Sequence, residues 1–339
     1  MTKPSSIDVH AHCIPSTVID RLDTDGARMG LTPTGRRAID GLLIGGKVET
    51  GRIRPDLLDV VRRLEVMDAT GIDVQILSPW INLTAYDLPG DAGVGFARMF
   101  NEELAAIVAA HPTRFHAVGT VPLQSPAAAA DELRRAVSEL GLVGVEIATT
   151  VAGRDLDDAG LEPFWAASEE LACLILLHPC ASLAGRGVSR YFLGNLVGNP
   201  AESTVAVGHL IFGGVLERHP DLKICVVHGG GFVPYQLGRW DHGYRVNARG
   251  AAANLTRPPS EWAARLYYDS VLHSPRALRA LIDTVGVSQV VLGTDYPFEM
   301  GDSRAVQTVT DVPGLSETDR NRILSGTMSD LLDGVASAG

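Results

Sequence analysis

Five side chains of the types that bind metal ions or move protons stand out in this 339-residue sequence: His10, His12, His178, His228 and Asp295. His10 and His12 form an HxH pair. Residues two apart on a strand point the same way, so both imidazoles can turn toward one ion while Val9 and Ala11 face surrounding helices. Imidazole nitrogens with one carboxylate, and one coordination position left open, suit a zinc ion that activates water. A single histidine ending an apolar strand is more often a satisfied core residue than a ligand. Five such groups at the mouths of four strands would have to obey one positional rule by chance every time, so they read as a metal site.

The elements that must deliver these groups are short strands. Eight β-rich apolar runs alternate with longer helical stretches, at about residues 7–12 (IDVHAH), 73–78 (DVQILS), 115–121 (FHAVGTV), 143–148 (VGVEIA), 173–178 (CLILLH), 223–228 (KICVVH), 267–271 (YYDSV) and 289–294 (QVVLGT). This alternation predicts an α/β fold, a (β/α)8 TIM barrel with a parallel sheet. In such a barrel, catalytic groups sit at the C-terminal ends of the strands. His10 and His12 end the first run, His178 the fifth and His228 the sixth, and Asp295 follows the eighth. The chain, 1–339, reads as a single barrel domain with an insertion after the first strand, at about 13–55. That segment holds seven glycines and little helical periodicity before DLLDVVRRLEVMD starts a helix. It is expected to lie like a lid over the barrel mouth.

The remaining histidines act as controls. His111 and His219 precede proline and close helices, where the helix dipole favours them. His116 starts the third strand, at the wrong end of the barrel, and His209 and His242 lie on helical stretches. His273 follows the seventh strand and either lines the pocket or starts a helix. HGGG at 228–231 lets backbone approach a ligand, or turns the chain from strand to helix. A net charge of −11 excludes a nucleic-acid footprint and requires local cations for any anionic substrate. Four scattered cysteines without CxxC spacing point to a reducing cytoplasm. No apolar leader and no run of ~18 apolar residues is found, so neither a targeting signal nor a membrane span is expected.

The stretches DVHAHCIP, LLHP, CVVHGGG and LGTDYPF, in this order and spacing, resemble the amidohydrolase superfamily, and within it the branch of aminocarboxymuconate semialdehyde decarboxylase. MDATGIDVQILS, HPTRFHAVGTVPLQ, DLDDAGLEPFW, GRWD, TRPPSEW and YDSVLHSP extend the resemblance over nearly the whole chain. It implies one Zn2+ per subunit, with Mn2+ as the alternative, held by His10, His12, His178 and Asp295. It also implies that His228 works as acid and base beside the ion, with Asp295 counted in the catalytic pair. The fourth strand lacks the lysine that binuclear members carbamylate, which favours a mononuclear centre. Arg239 in GRWD matches a substrate-carboxylate anchor that the family's homodimers contribute across the subunit boundary. A second anchoring arginine belongs in the insertion, where KVETGRIRP offers Lys47, Arg52 or Arg54; Lys47 and Arg52, with Tyr191 and Phe298, are the expected substrate contacts. Cys180, Tyr191 and Asn195 replace aromatic residues of that decarboxylase, so a different substrate is expected. The implied reaction is metal-dependent, non-oxidative decarboxylation of a small unsaturated or aromatic carboxylic acid. The rival is hydrolysis or hydration of a lactone, amide or conjugated carboxylate by the same zinc site.

Overall fold

The computed structural model describes residues 4–180 and 188–338. The eight runs form one eight-stranded sheet. We number its strands β1 (Ile7–His12), β2 (Val74–Ser78), β3 (Phe115–Gly119), β4 (Gly144–Ala148), β5 (Leu174–His178), β6 (Lys223–Val226), β7 (Tyr267–Asp269) and β8 (Val290–Val291). Each pairs in parallel with the next. The ring closes where Val9 N–H donates to Leu292 O (2.9 Å), Asp295 N–H to His10 O (2.8 Å) and His12 N–H to Tyr296 O (2.7 Å). This is the predicted (β/α)8 barrel. β7 and β8 are shorter than their apolar runs because other groups take over the backbone bonds: Gly293 N–H donates to Ser270 Oγ and Leu292 N–H to Ile323 O in the helical turn Arg322–Gly326.

Alternation along the strands divides the apolar residues. Ile175 and Leu177 join the large cluster that includes the helices, whereas Leu174 and Leu176 share a second cluster with Ile7, Val9, Val74, Ile76 and Val118. His178 continues the Leu174–Leu176 face, so that second cluster is the barrel interior. Val9 therefore points inward, against the expectation that it faces helices. The cause is a β-bulge: pairing with β2 slips between Asp8 and Ala11. The extra residue lets Val9 fill the interior while His10 and His12 still reach the mouth.

The insertion differs from its expected irregularity. A ten-residue helix, Ser16–Asp25, buries Val18, Ile19 and Leu22. Three short antiparallel strands follow, Leu31–Pro33, Leu42–Ile44 and Val48–Glu49. Three apolar positions spaced i, i+1, i+4 made too weak a stripe to predict a helix. The helix after the insertion runs Val60–Thr70, with the Asp59 side chain accepting from Arg62 N–H at its start and Gly71 left-handed at its end. No helix among the described residues is long and apolar enough to cross a membrane.

Candidate active site

At the C-terminal ends of β1 and β5 three buried imidazoles are held from behind. His10 Nδ1 lies 2.7 Å from Asp269 Oδ2, His12 Nδ1 2.9 Å from Pro79 O, and His178 Nδ1 2.8 Å from Pro179 O. A carboxylate or carbonyl oxygen can only accept, so each Nδ1 carries a hydrogen, and in the neutral ring each Nε2 presents a bare lone pair. These lone pairs converge: the Nε2 atoms of His10 and His12 are 3.2 Å apart, and Asp295 Oδ1 lies 3.4 and 3.3 Å from them. That oxygen is buried and has no hydrogen-bond donor among the described residues. His10, His178, His228 and Asp295 each offer a ligand atom within 4.8 Å of the others. Lone pairs this close repel unless a cation sits among them, so the donor set fits one divalent ion.

Charge follows from burial and neighbours. Burial holds His10 below the ordinary histidine range, and His178 well below it, with His12 and His10 adding to the effect on His178; both favour the neutral, ligating form. Burial opposes ionisation of Asp295 too, but His10, His12 and His228 outweigh it and keep the carboxyl well below its usual range. His12 and His228 rise despite burial, His12 chiefly through Glu146 and His228 chiefly through Asp295.

His228 differs from the other three imidazoles. Its Nε2 lies 3.6 Å from Asp295 Oδ2, while its Nδ1 is buried without a partner among the described residues. Its backbone, like that of Asp295, is left-handed, with φ of 55° and 56°. The glycines after it serve packing: a Cβ on Gly230 would come within 2.5 Å of the Tyr268 ring, and one on Gly231 within 2.2 Å of Pro200 O. Gly229 N–H donates to Asp269 Oδ1 at 2.8 Å, so the HGGG turn and His10 share one carboxylate. The turn reading of HGGG, with that added bond, is the one the geometry supports.

The cavity over these groups has two lobes, of about 230 and 250 Å3, which share Asn195, Asn199, His228, Asp295 and Met300. Of the expected substrate contacts, Phe298 lines the first lobe and packs 5.2 Å from the His12 ring. Lys47 and Arg52 do not reach it. Lys47 is exposed and pairs with Asp87 at 3.8 Å, and Arg52 is exposed. Arg54 is the cation of that segment on the cavity wall, with its Nε buried and unpartnered and Nη1 3.5 Å from Glu299 Oε1. Tyr191 is 75% exposed beneath Arg190, and Phe192 lines the lobe instead. Arg239 lies exposed on the helix Val233–Arg245, outside both lobes of its own chain. Asp241, its acidic neighbour in sequence, bonds to Ser260 instead. His273 lines the second lobe.

Sequence reasoning passed over Asp269, Glu146 and Trp80. Asp269 closes β7, where the strand-end rule applied to YYDSV would have found it. Glu146 is fully buried on β4 with its Oε2 3.7 Å from His12 Nδ1, and burial raises its pKa to about 7. It occupies the strand in which a lysine was sought. Trp80 lines the first lobe, and no motif signalled it.

A family model described as amidohydrolase matches residues 7–332. The chain is 35% identical to the 2-amino-3-carboxymuconate-6-semialdehyde decarboxylase of Dictyostelium discoideum over 80% of this chain and 75% of that one. Among solved structures it is similar to a 5-carboxyvanillate decarboxylase from Sphingomonas paucimobilis, with a TM-score of 0.82, 26% identity and coverage of 97% and 98% of the two chains. It is also similar to a dihydroxybenzoic acid decarboxylase from Polaromonas solved with bound manganese and the inhibitor 2-nitroresorcinol, with a TM-score of 0.78, 25% identity and coverage of 98% and 97%.

Proposed function

This chain belongs to the amidohydrolase family, and we propose that it is a metal-dependent, non-oxidative decarboxylase of a small unsaturated or aromatic carboxylic acid. The observation that carries the reading is the contrast among four imidazoles. Three have Nδ1 bonded to an oxygen and turn Nε2 toward the donor cluster, while His228 has Nδ1 without a partner among the described residues and can carry a proton on either nitrogen. His10, His12, His178 and Asp295 would hold one divalent ion, which supplies Lewis-acid stabilisation of negative charge developing on the substrate. The nitrogen-rich donor set favours Zn2+, and the manganese-bearing relative makes Mn2+ the rival.

His228 would deliver its proton to the carbon that bears the departing carboxylate. The electrons of the breaking carbon–carbon bond then stay with that carbon, carbon dioxide leaves, and His228 recovers a proton from solvent. Arg54 would pair with a carboxylate of the substrate from the wall of the first lobe, and Phe298 and Trp80 would cover it. Arg239 would serve a neighbouring subunit of a homodimer, a reading supported by its exposure outside its own chain's cavity. The extra segment at about 13–55 would border the mouth as a rim and, in part, a lid. Four unpaired cysteines support a cytoplasmic setting.

The relatives named above are all decarboxylases, which favours carbon–carbon cleavage over hydrolysis or hydration at the same donors. The test is a panel of aromatic and muconate-type acids incubated with metal-loaded protein in labelled water. Decarboxylation is expected to release carbon dioxide with one solvent hydrogen gained at carbon and no oxygen incorporated. Oxygen incorporation without carbon dioxide would overturn the reading.

A further inference from the structure

The second lobe of the cavity contains a side chain that the proposed chemistry does not use. Its outer walls are apolar, from Leu196, Pro200, Phe232, Val271 and Leu272, and one imidazole, His273, stands among them. His228 and Asp295 line the same lobe, so whatever occupies it adjoins the reacting groups. His273 also shares their backbone state. The exits of β6, β7 and β8 each carry a non-glycine residue in the left-handed region, with φ of 55° at His228, 54° at His273 and 56° at Asp295. Such residues are uncommon and persist where the surrounding structure fixes the backbone, as it does here at three adjoining strand exits.

The helix that begins next does not account for His273. Ser274 caps the helix Pro275–Val285, its side-chain oxygen accepting from Ala277 N–H, so the cap is already supplied. The His273 side chain is exposed on the wall of the lobe and makes no hydrogen bond or ion pair among the described residues. A lobe with apolar outer walls and such an imidazole, besides the Asn195 and Asn199 amides it shares with the first lobe, is complementary to a carbon skeleton bearing a hydrogen-bonding oxygen.

We propose that His273 determines which acids the site accepts, by hydrogen bonding to an oxygen substituent on the part of the substrate remote from the departing carboxylate. The proposal rests on the decarboxylase reading for the orientation of the substrate, with its leaving carboxylate at the donor cluster and its distal end in the second lobe. His273 is thereby a specificity residue and leaves the proton transfer to His228.

The experiment compares two acids that differ only in a distal hydroxyl, on metal-loaded wild type, His273→Phe and His273→Gln. His273→Phe keeps the apolar bulk and removes the hydrogen bond. It is expected to raise KM for the hydroxylated acid roughly tenfold and to change KM for the plain acid by less than about twofold. His273→Gln should restore part of the preference, and kcat should move little for either acid. Equal effects on both acids, or none, would overturn the assignment. Binding of the same pair measured by calorimetry does not require turnover. If no acid loses carbon dioxide, the decarboxylase reading fails alone, and His273 is still judged by whether His273→Phe erases the difference in affinity between the two acids.

Discussion

The floor and the rim of the cavity are built on opposite plans. On the floor, His10, His12 and His178 are buried, each is fixed through Nδ1, and Asp269 bonds both His10 and the backbone of Gly229. On the rim, Arg54 has only loose ion pairs, at 3.5 and 3.8 Å, and Tyr191 and Phe192 are exposed. The difference assigns the two jobs of an enzyme to two kinds of support. Chemistry that needs donors in fixed positions stands on the strands, and recognition that varies with substrate stands on segments between them.

The largest effect should come from the floor. His178→Ala or Asp295→Ala is expected to leave well under one ion per chain, abolish turnover and lower the melting temperature in metal-containing buffer, because a bound ion stabilises only the folded state. Metal analysis of either variant showing one ion per chain with full activity would dissolve the floor as described. Next comes His228→Ala, which should retain the ion and lose roughly a hundredfold or more in turnover. Loss of the ion instead would make His228 a ligand. Mixed with Arg239→Ala chains, the same variant should regain part of its activity if the arginine acts across a dimer boundary; verified mixed dimers without rescue would remove Arg239 from that role.

The rim should give the smallest effects and the sharpest discrimination. Arg54→Ala is expected to weaken capture of the acid by about ten- to hundredfold, the loss of one charge-assisted pair at about 1.5 to 3 kcal/mol, with metal content unchanged. Lys47→Ala and Arg52→Ala should stay within about twofold of wild type in steady-state kinetics. A larger loss for Lys47 than for Arg54 would reverse the placement of the rim cation.

The same division explains what could be read from the sequence. Metal-binding candidates were legible because a polar group ending an apolar strand has few places to go once the strands form a barrel. Asp269 obeyed the same rule and was missed although YDSVLHSP carries part of the family resemblance, because the ligand set implied by that resemblance was already complete without it. Val9 was misplaced because a bulge shifts the period of two by one residue, and no residue type in VHAH announces a bulge. The rim was another matter. KVETGRIRP offers three cations within eight residues, and which one meets the cavity depends on how the insertion packs, not on any local period. Tyr191 and Phe192 both take left-handed backbone conformations, so no alternation tells which ring turns inward.

The closing of the ring between β1 and the segment after β8 has a consequence for the life of the molecule before it is an enzyme. Asp295, which donates its backbone N–H to His10 O, is synthesised 285 residues after His10. At about 5 to 20 residues per second this is roughly a quarter of a minute or more of synthesis during which the early histidines have no carboxylate to share an ion with. With the proposed donor set, a nascent chain would hold metal only loosely through that interval. The ion's full grip would then arrive only with the last strand, and its acquisition would signal that the barrel has shut.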